Sequence, residues 1–221
     1  MTAAVQPYLK DPAAIYAQSF ATVRSQADLV GLPDNLIDVA IRLVHACGMP
    51  DVLGDMQASA DFPGAARGAL DRGASIFCDC EMVASGITRK FLTAGNDVVV
   101  TLNNPTVPDL AAEMQTTRSA AAVELWKERL EGALVVIGNA PTALFRLLEI
   151  IDEGGPCPAA IIGIPVGFVG AAESKLELAS EDRSVPFLAV HGTRGGSAMA
   201  SSVVNAVATS EQIKLSETVE P

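Results

Sequence analysis

His45 is the side chain of this sequence that is best suited to proton transfer. It is one of only two histidines among 221 residues and lies within IRLVHACGMPD, residues 41–51. A histidine has an ordinary pKa of roughly 6.5, so its ring can give or accept a proton near neutral pH. Two interpretations stay open at this point. His45 is either a catalytic acid or base, or a histidine that packs in the core.

Basic and hydroxyl side chains occur together in several stretches of an otherwise acidic chain. The formal net charge is −11, from 15 Lys and Arg against 26 Asp and Glu. The basic stretches are Thr88-Arg89-Lys90, Thr117-Arg118 and Arg194-Gly195-Gly196-Ser197, with Lys175 as a further candidate. Arginines bind carboxylates and phosphates, and so do helix N-termini. We therefore expect an anionic small molecule as ligand, whereas the net charge disfavours nucleic acid and anionic membranes.

The stretch from Arg194 to Ser197 resembles a phosphate-binding turn. Its two glycines, Gly195 and Gly196, would let backbone N–H groups face an anion at the start of a helix. The stretch lacks the Gly-Lys-Ser/Thr ending of a Walker loop, and PVGFVGAAES at 165–174 is not a GxGxxG turn. Nucleotide binding is therefore poorly supported.

Five short apolar runs predict the strands that position these stretches. The runs lack polar alternation, which is typical of parallel strands covered on both faces, and each is followed by a loop and a helical pattern. We predict a three-layer, doubly wound α/β fold with a mainly parallel five-stranded sheet of flavodoxin-like order. Ligands bind beyond the carboxyl ends of such strands, where the basic stretches lie. The predicted strands are 74–80, 98–102, 133–138, 159–164 and 186–190, with helices at 119–130, 141–151, 171–178 and 197–208.

Three further helices are predicted before the first strand. They cover residues 12–27, the segment from Pro33 to Gly48, and the segment from Asp61 to Gly73. His45 then lies in the last turn of the second helix, where the helix dipole favours the imidazolium form. Ser19 falls on the apolar face of the first helix, either as a small packing residue or with its hydroxyl facing a pocket. We expect a single domain over 1–221, with a helical segment at about 8–73, a sheet core at about 74–208 and a loose polar tail at 211–221.

Two features near predicted strand ends have open interpretations. In GNAPT, residues 138–142, Asn139 or Ala140 is expected to cap a helix, and Thr142 either caps locally or the loop approaches a ligand. His191 ends the fifth strand. It is either a second acid or base, or a residue that simply meets solvent.

Metal binding and membrane insertion are not expected. Cys78 and Cys80 have a spacing that zinc sites do not use, so we expect reduced thiols and no metal. No apolar run reaches the roughly 18 residues that cross a bilayer. The first residues lack the basic and then apolar pattern of a secretory signal, so the expected location is the cytoplasm. The residues alone thus indicate proton-transfer chemistry on a large anion without a cofactor.

A series of stretches along the chain carries a resemblance to a known family. They are QSFATVR, VHACGMPDV, GITRK, TTRSAAAVELW, IGNAPTALFRLLE, GIPVGFVGAAESK and RGGSAMA. In this order they resemble the precorrin-8X methylmutases of cobalamin (vitamin B12) biosynthesis, over about residues 8–208. One block departs from the family's pattern, because HGTRGG has His191 and Thr193 where basic residues are expected and keeps only Arg194.

The resemblance implies a cofactor-independent isomerase that moves a methyl group from C11 to C12 of a corrinoid, a porphyrin-like tetrapyrrole. It implies precorrin-8X as substrate, hydrogenobyrinate (hydrogenobyrinic acid) as product, and a homodimer with its sites near the subunit interface. Hand-over of product to neighbouring enzymes of the pathway is a further expectation. His45 falls on the family's catalytic histidine, as general acid. The positions that match the family's substrate contacts are Ser19, Thr88, Arg89, Lys90, Thr117 and Arg118.

Three alternatives compete with this interpretation. The substrate could carry cobalt, as in the anaerobic pathway. The protein could be a corrinoid carrier, which binds the product without changing its connectivity. It could also be a nucleotide-binding regulator with the same fold, for which a nucleotide-induced thermal shift would be the evidence.

Overall fold

A six-stranded sheet forms the centre of the molecule. The computed structural model describes residues 6–180 and 183–217, with side chains described as far as Thr209. The strand order is β1-β6-β5-β4-β2-β3. Strands β2 to β6 are parallel, and β1 pairs with β6 in the antiparallel direction. The strands are β1 (Met56–Ala58), β2 (Ile76–Cys78), β3 (Val98–Val100), β4 (Leu134–Ile137), β5 (Ala160–Gly163) and β6 (Phe187–Val190).

The parallel part of the sheet confirms the predicted flavodoxin-like order. Numbered from the first parallel strand, the order is 2-1-3-4-5, and each strand lies within a predicted apolar run. Strand β1 was not predicted. It has only three residues, Met-Gln-Ala, and none of them is buried, so it carries no apolar signal. Its register places Met56 opposite Val190 at the carboxyl end of β6.

Helices cover both faces of the sheet and make the three predicted layers. One core contains alternate strand residues such as Ile76 and Leu134, packed against α2, α3, α4 and α9. The other contains the intervening residues, such as Phe77 and Val135, packed against α6, α7 and α8. The helices are α1 (Pro12–Gln26), α2 (Asp34–Cys47), α3 (Phe62–Asp71), α4 (Glu81–Gly86), α5 (Val107–Glu113), α6 (Arg118–Glu124), α7 (Pro141–Asp152), α8 (Ala171–Leu178) and α9 (Ser197–Glu217). Short 3-10 turns cover Pro50–Asp55, Arg89–Phe91 and Lys127–Arg129.

The predicted helices are present, although the one predicted at 119–130 ends at Glu124 and is followed by the 3-10 turn Lys127–Arg129. Two more helices lie where loops were expected. Helices α4 and α5 occupy the stretches that follow β2 and β3. Both are short, with six and seven residues, and neither shows a full apolar stripe over several turns. Helix α9 runs beyond residue 208 to Glu217, so the segment expected to be a loose tail is helical over 211–217. Its last four residues, 218–221, lie outside the described residues.

Helix α2 connects the N-terminal segment to the sheet. Six of its residues are buried along one face, and it packs mainly against α9. Helix α1 packs on α2, and Val23 is its one buried residue, so most of its surface is exposed. Within the described parts of the chain, no helix is long and apolar enough to span a membrane.

Candidate active site

His45 lies in the last turn of α2, as the sequence predicts. The helix ends at Gly48, whose φ of 70° is left-handed and whose N–H bonds to Val44 O. His45 Nδ1 lies 2.8 Å from Ser19 Oγ, a hydrogen bond between α2 and α1. Of the two interpretations of Ser19, the structure therefore supports the hydroxyl that faces a pocket. The serine oxygen can accept a hydrogen bond from Nδ1–H, which leaves Nε2 as the other proton-carrying atom of an imidazolium.

Two aromatic rings from α1 fix the orientation of the His45 ring. Tyr16 stacks on it at 5.7 Å between centroids, and Phe20 meets it edge-on at 5.3 Å. His45 itself is exposed, so it is not a core histidine. A ring held on two sides and by one hydrogen bond keeps its remaining edge in a constant direction.

A cavity of about 440 Å³ opens beside His45. Its walls come from one face of α1, from the end of α2 and from the segment before α1. A volume of this size is within the range of small-molecule sites. The lining residues are Leu9, Ile15, Gln18, Ser19, Thr22, Val23, Gln26, Val44, His45, Gly48 and Pro50.

Ion pairs hold the chain that follows His45 at the carboxyl edge of the sheet. Arg194, just after β6, donates to Asp51 Oδ2 at 2.6 Å and to Asp55 Oδ2 at 2.5 Å. The Arg194 guanidinium lowers the pKa of Asp51 through the hydrogen bond between them. Both acids belong to the 3-10 turn that leads from α2 into β1. The turn that follows α2 is therefore held at this edge.

The residues from Arg194 to Ser197 make contacts within the protein and do not form an open anion-binding turn. The Gly196 N–H donates to Ile164 O at 2.9 Å, so it does not face an anion as expected. A Cβ on Gly195 would lie 2.5 Å from the same Ile164 O, which explains the glycine. Ser197 is buried, with its Oγ 3.6 Å from Cys80 Sγ. A role of these four residues in substrate binding stays a prediction.

The other predicted substrate contacts lie around the β2 and β3 ends of the sheet. The Thr88 N–H donates to Asn205 Oδ1 at 2.8 Å, and Arg118 Nη2 donates to Leu102 O at 3.0 Å. Arg89 and Lys90 are exposed in the 3-10 turn after α4. Thr117 caps α6 by accepting from the Ala120 N–H. Among the described residues that line the His45 cavity, Ser19 is the one predicted substrate contact.

Asp79 is a structural residue of this edge that the sequence did not reveal. It is 3% exposed and follows β2. Its carboxylate accepts from the N–H groups of Gly138, Asn139 and Ala140, at 2.7 to 3.0 Å. Burial raises the pKa of Asp79, and these donors oppose that rise. Ala140 is the N-cap residue of α7, which is one of the two predicted cap positions. The cap makes no side-chain hydrogen bond, and Asp79 supplies the acceptor from the neighbouring strand instead. Thr142 instead bonds to Thr117, with 2.8 Å between the hydroxyl oxygens.

Lys175 joins two of the strand-end loops from inside the protein. Its side chain is fully buried, and Nζ donates to Pro165 O at 3.0 Å and to Arg194 O at 2.7 Å. It is therefore not exposed as a basic ligand-binding residue. Burial lowers the pKa of Lys175 to about 8, and the Asp55 charge opposes that change.

The lowered pKa of Lys175 predicts how stability changes with pH. An unfolded lysine keeps its proton up to a pKa near 10.5, whereas folded Lys175 loses it above about 8. The burial cost of the ammonium is therefore relieved between these pH values, and the free energy of unfolding should rise with pH there. Urea unfolding of the wild type and of Lys175→Met at pH 7.5 to 10.5 measures the difference. Parallel curves for the two proteins would contradict the prediction.

His191 contacts the edge strand β1 and is partly exposed at the end of β6. Its Nε2 lies 2.6 Å from Gln57 Oε1 on β1, and its N–H donates to Asp55 O. Its Nδ1 is buried without a hydrogen-bond partner among the described residues. His191 is absent from the described lining of the His45 cavity, so a role as second acid or base has no support from this geometry.

The residues that the structure describes contain no group of three or more His, Cys, Asp or Glu that could hold a metal ion. Cys78 and Cys80 are free and buried, as expected from the sequence. Burial also raises the pKa of the Cys78 thiol.

Comparison with known proteins places the chain in one family. The family described as precorrin-8X methylmutase matches residues 14–210. A precorrin-8X methylmutase of Pseudomonas aeruginosa is 57% identical over 93% of this chain and 99% of its own. One of Sinorhizobium is 54% identical over 91% of this chain and 96% of its own. A cobalt-precorrin-8 methylmutase of Salmonella typhimurium is less similar, at 37% identity over 90% of this chain and 96% of its own.

A solved structure agrees with these sequence relatives. The precorrin-8X methyl mutase of Thermus thermophilus superposes with a TM-score of 0.81 and 33% identity, over 91% of this chain and 98% of that one. The fold, the family match and the identities agree along nearly the whole chain. The chain therefore belongs to the precorrin-8X methylmutase family, whose members are isomerases that move a methyl group within one molecule.

Proposed function

We propose that this isomerase acts on metal-free precorrin-8X and forms hydrogenobyrinate. The observation that carries the proposal is the difference in identity between two groups of relatives. Those named precorrin-8X methylmutase share 54% and 57% of their residues with this chain, whereas the one from Salmonella that is named for the cobalt-containing substrate shares 37%. A match of this extent covers the His45 stretch and all the basic stretches.

His45 is proposed as the general acid. With Nδ1 bound to Ser19 Oγ, Nε2 is the atom that would donate a proton, or a hydrogen bond, to a ring nitrogen of the macrocycle. Electron density is then drawn from the conjugated system while the methyl group moves from C11 to C12. The proton returns to His45 when the new bond is complete, so substrate and product have the same composition.

The proposed substrate also explains the distribution of charge. A corrinoid at this stage is a broad apolar ring with acetate and propionate arms. The apolar and aromatic groups of α1 suit the ring, and arginine side chains suit carboxylates. Arg89, Lys90 and Arg118 are exposed at the carboxyl edge of the sheet, where such arms would be bound.

A homodimer is part of the proposal. The basic residues of 88–90 and 117–118 are not in the described lining of the His45 cavity of one subunit. A second copy could bring its own basic stretches to that cavity. Helix α1 supports this idea, because Ile15 and Tyr16 are 44% and 55% exposed beside the site. A cytoplasmic location and hand-over of product to another enzyme stay predictions from the sequence.

Conversion of purified substrate tests the proposal. The protein is mixed with metal-free precorrin-8X under anaerobic conditions, and the visible spectrum and the mass are followed. We expect a spectral change at constant mass, because the reaction is an isomerisation. Conversion of the cobalt-containing substrate alone would assign the protein to the other pathway. A single-turnover experiment with tight binding and no change in connectivity would indicate a carrier instead.

A further inference from the structure

We propose that Arg42 and the cavity beside it bind a carboxylate group, namely one acetate or propionate arm of the macrocycle. The identification of the carboxylate as an arm of the macrocycle rests on the proposed function. The binding of a carboxylate by Arg42 does not. The cavity has a volume of about 250 Å³ and lies between α1 and α2. The faces that line it differ from those of the His45 cavity. Its lining residues are Ala17, Phe20, Ala21, Arg24, Asp38, Ile41 and Arg42.

The guanidinium group of Arg42 has no hydrogen-bond or ion-pair partner in the described part of the chain. Its Nε is buried and unsatisfied. The guanidinium carbon lies 5.5 Å from the centroid of the Phe20 ring. The Asp38 charge also acts on Arg42, although the two side chains form no ion pair. Burial lowers the pKa of Arg42, but a guanidinium stays protonated in proteins. Arg42 is thus a charged fork of donors that is partly removed from water and left unpaired.

Other partly buried arginines of this protein do have carboxylate partners. Arg146 pairs with Glu124, Arg183 pairs with Asp152, and Arg194 pairs with Asp51. A desolvated charge without such a partner lowers the stability of the folded state. Groups that are unfavourable for stability are typical of binding sites, where the ligand supplies the missing interaction. Arg42 therefore differs from the others in the way expected of a ligand-binding residue.

The charges that line the cavity favour an anion. Asp38 is the one carboxylate in the lining, and it lies 3.7 Å from Arg24, with which it forms an ion pair. Arg42 and Arg24 together therefore exceed the negative charge by one. The fork geometry of a guanidinium matches the two oxygens of a carboxylate.

The position of the cavity connects it with the proposed reaction. Arg42 and His45 are three residues apart on α2, so they project from the same side of the helix. Phe20 lies between them, because its ring contacts both the His45 ring and the Arg42 guanidinium. A macrocycle held against Tyr16 and His45 would have a peripheral arm at the Phe20 ring. That arm could extend past the ring to Arg42.

Titration with the product tests the inference. Hydrogenobyrinic acid is added to the wild type, Arg42→Gln, Arg42→Lys and the control Arg72→Gln, and binding is followed by visible absorbance. Arg72 is an exposed residue at the end of α3, so its replacement changes the net charge equally. We expect Arg42→Gln to bind about 10- to 100-fold more weakly, the effect of one charged hydrogen-bonding pair. Arg42→Lys should be intermediate, and the control should bind like the wild type.

Thermal unfolding separates binding from a structural role. Removal of an unpaired guanidinium should leave Tm unchanged or raise it. A lower Tm with unchanged product affinity would assign Arg42 to folding and overturn the inference. Unchanged product affinity with a weakened homodimer would assign it to contacts between subunits, with the same consequence.

A small dicarboxylate probes the site without the macrocycle. Glutarate should raise the Tm of the wild type and of Arg72→Gln, but not that of Arg42→Gln. If the wild type neither converts precorrin-8X nor binds its product, the proposed function fails, and a glutarate shift that depends on Arg42 still supports a carboxylate site. If glutarate gives no such shift and product affinity does not depend on Arg42, the inference is wrong.

Discussion

Replacement of His45 by glutamine should lower kcat by about 100- to 10,000-fold, which is the usual contribution of a general acid. Glutamine can still form a hydrogen bond to Ser19, but it cannot donate a proton to the macrocycle. Product affinity should change little, because the ring and its carboxylate arms make the other contacts. Single-turnover conversion of precorrin-8X, followed by absorbance, measures the rate.

Ser19→Ala is the matching variant for this prediction. It removes the hydrogen bond to Nδ1 and leaves the ring between Tyr16 and Phe20. We expect a smaller loss of kcat than for His45→Gln, because the proton donor is still present. A His45→Gln protein that converts substrate at the wild-type rate would remove His45 from the mechanism.

Replacement of Asp79 by alanine should reduce the free energy of unfolding by about 3 kcal/mol or more. The substitution leaves three N–H groups, those of Gly138, Asn139 and Ala140, without their acceptor. Each buried donor left unsatisfied costs about 1 to 3 kcal/mol. These three donors lie at the start of α7, so this end of the helix also loses its acceptor. Urea unfolding, with the midpoint and slope compared between proteins, gives the loss.

Two variants make the Asp79 experiment specific. Asp61→Ala removes an exposed carboxylate that makes no side-chain cap, so its stability should stay close to that of the wild type. Asp79→Asn keeps the shape but turns an NH₂ group toward at least one N–H donor, and should be destabilised less than the alanine variant. An unchanged urea midpoint for Asp79→Ala would mean that water can satisfy these donors.

Patterns that are local in the sequence were sufficient to predict the sheet and most helices. Each parallel strand is part of an unbroken apolar run, and α8 has its predicted bounds, Ala171–Leu178. Strand β1 was not predicted, because its three residues are at least partly exposed and too few to show a periodicity. Helices α4 and α5 were not predicted, because each has two turns or fewer. A sequence pattern this short also occurs in loops.

The residue types of the candidate site can be read from the sequence, whereas their contacts cannot. His45 was identifiable from its rarity and from the end of α2, and its hydrogen bond to Ser19 joins residues 26 positions apart. The partners of Arg194 and Asp79 lie far along the chain, at Asp51 and at Gly138. No spacing rule connects such pairs, because tertiary packing determines them. Arg194 was therefore predicted from its charge alone, whereas the structure commits that charge to two carboxylates.

The pairing of β1 with β6 has a consequence for the order of assembly. The segment that carries His45 is made early in translation, but its strand partner and the helix α9 against which α2 packs are made last. Contacts between distant parts of a chain slow folding, because a long loop must close before they form. Until α9 has been synthesised, the apolar face of α2 therefore lacks its main packing partner. His45 therefore reaches its folded position only when nearly the whole polypeptide has been synthesised.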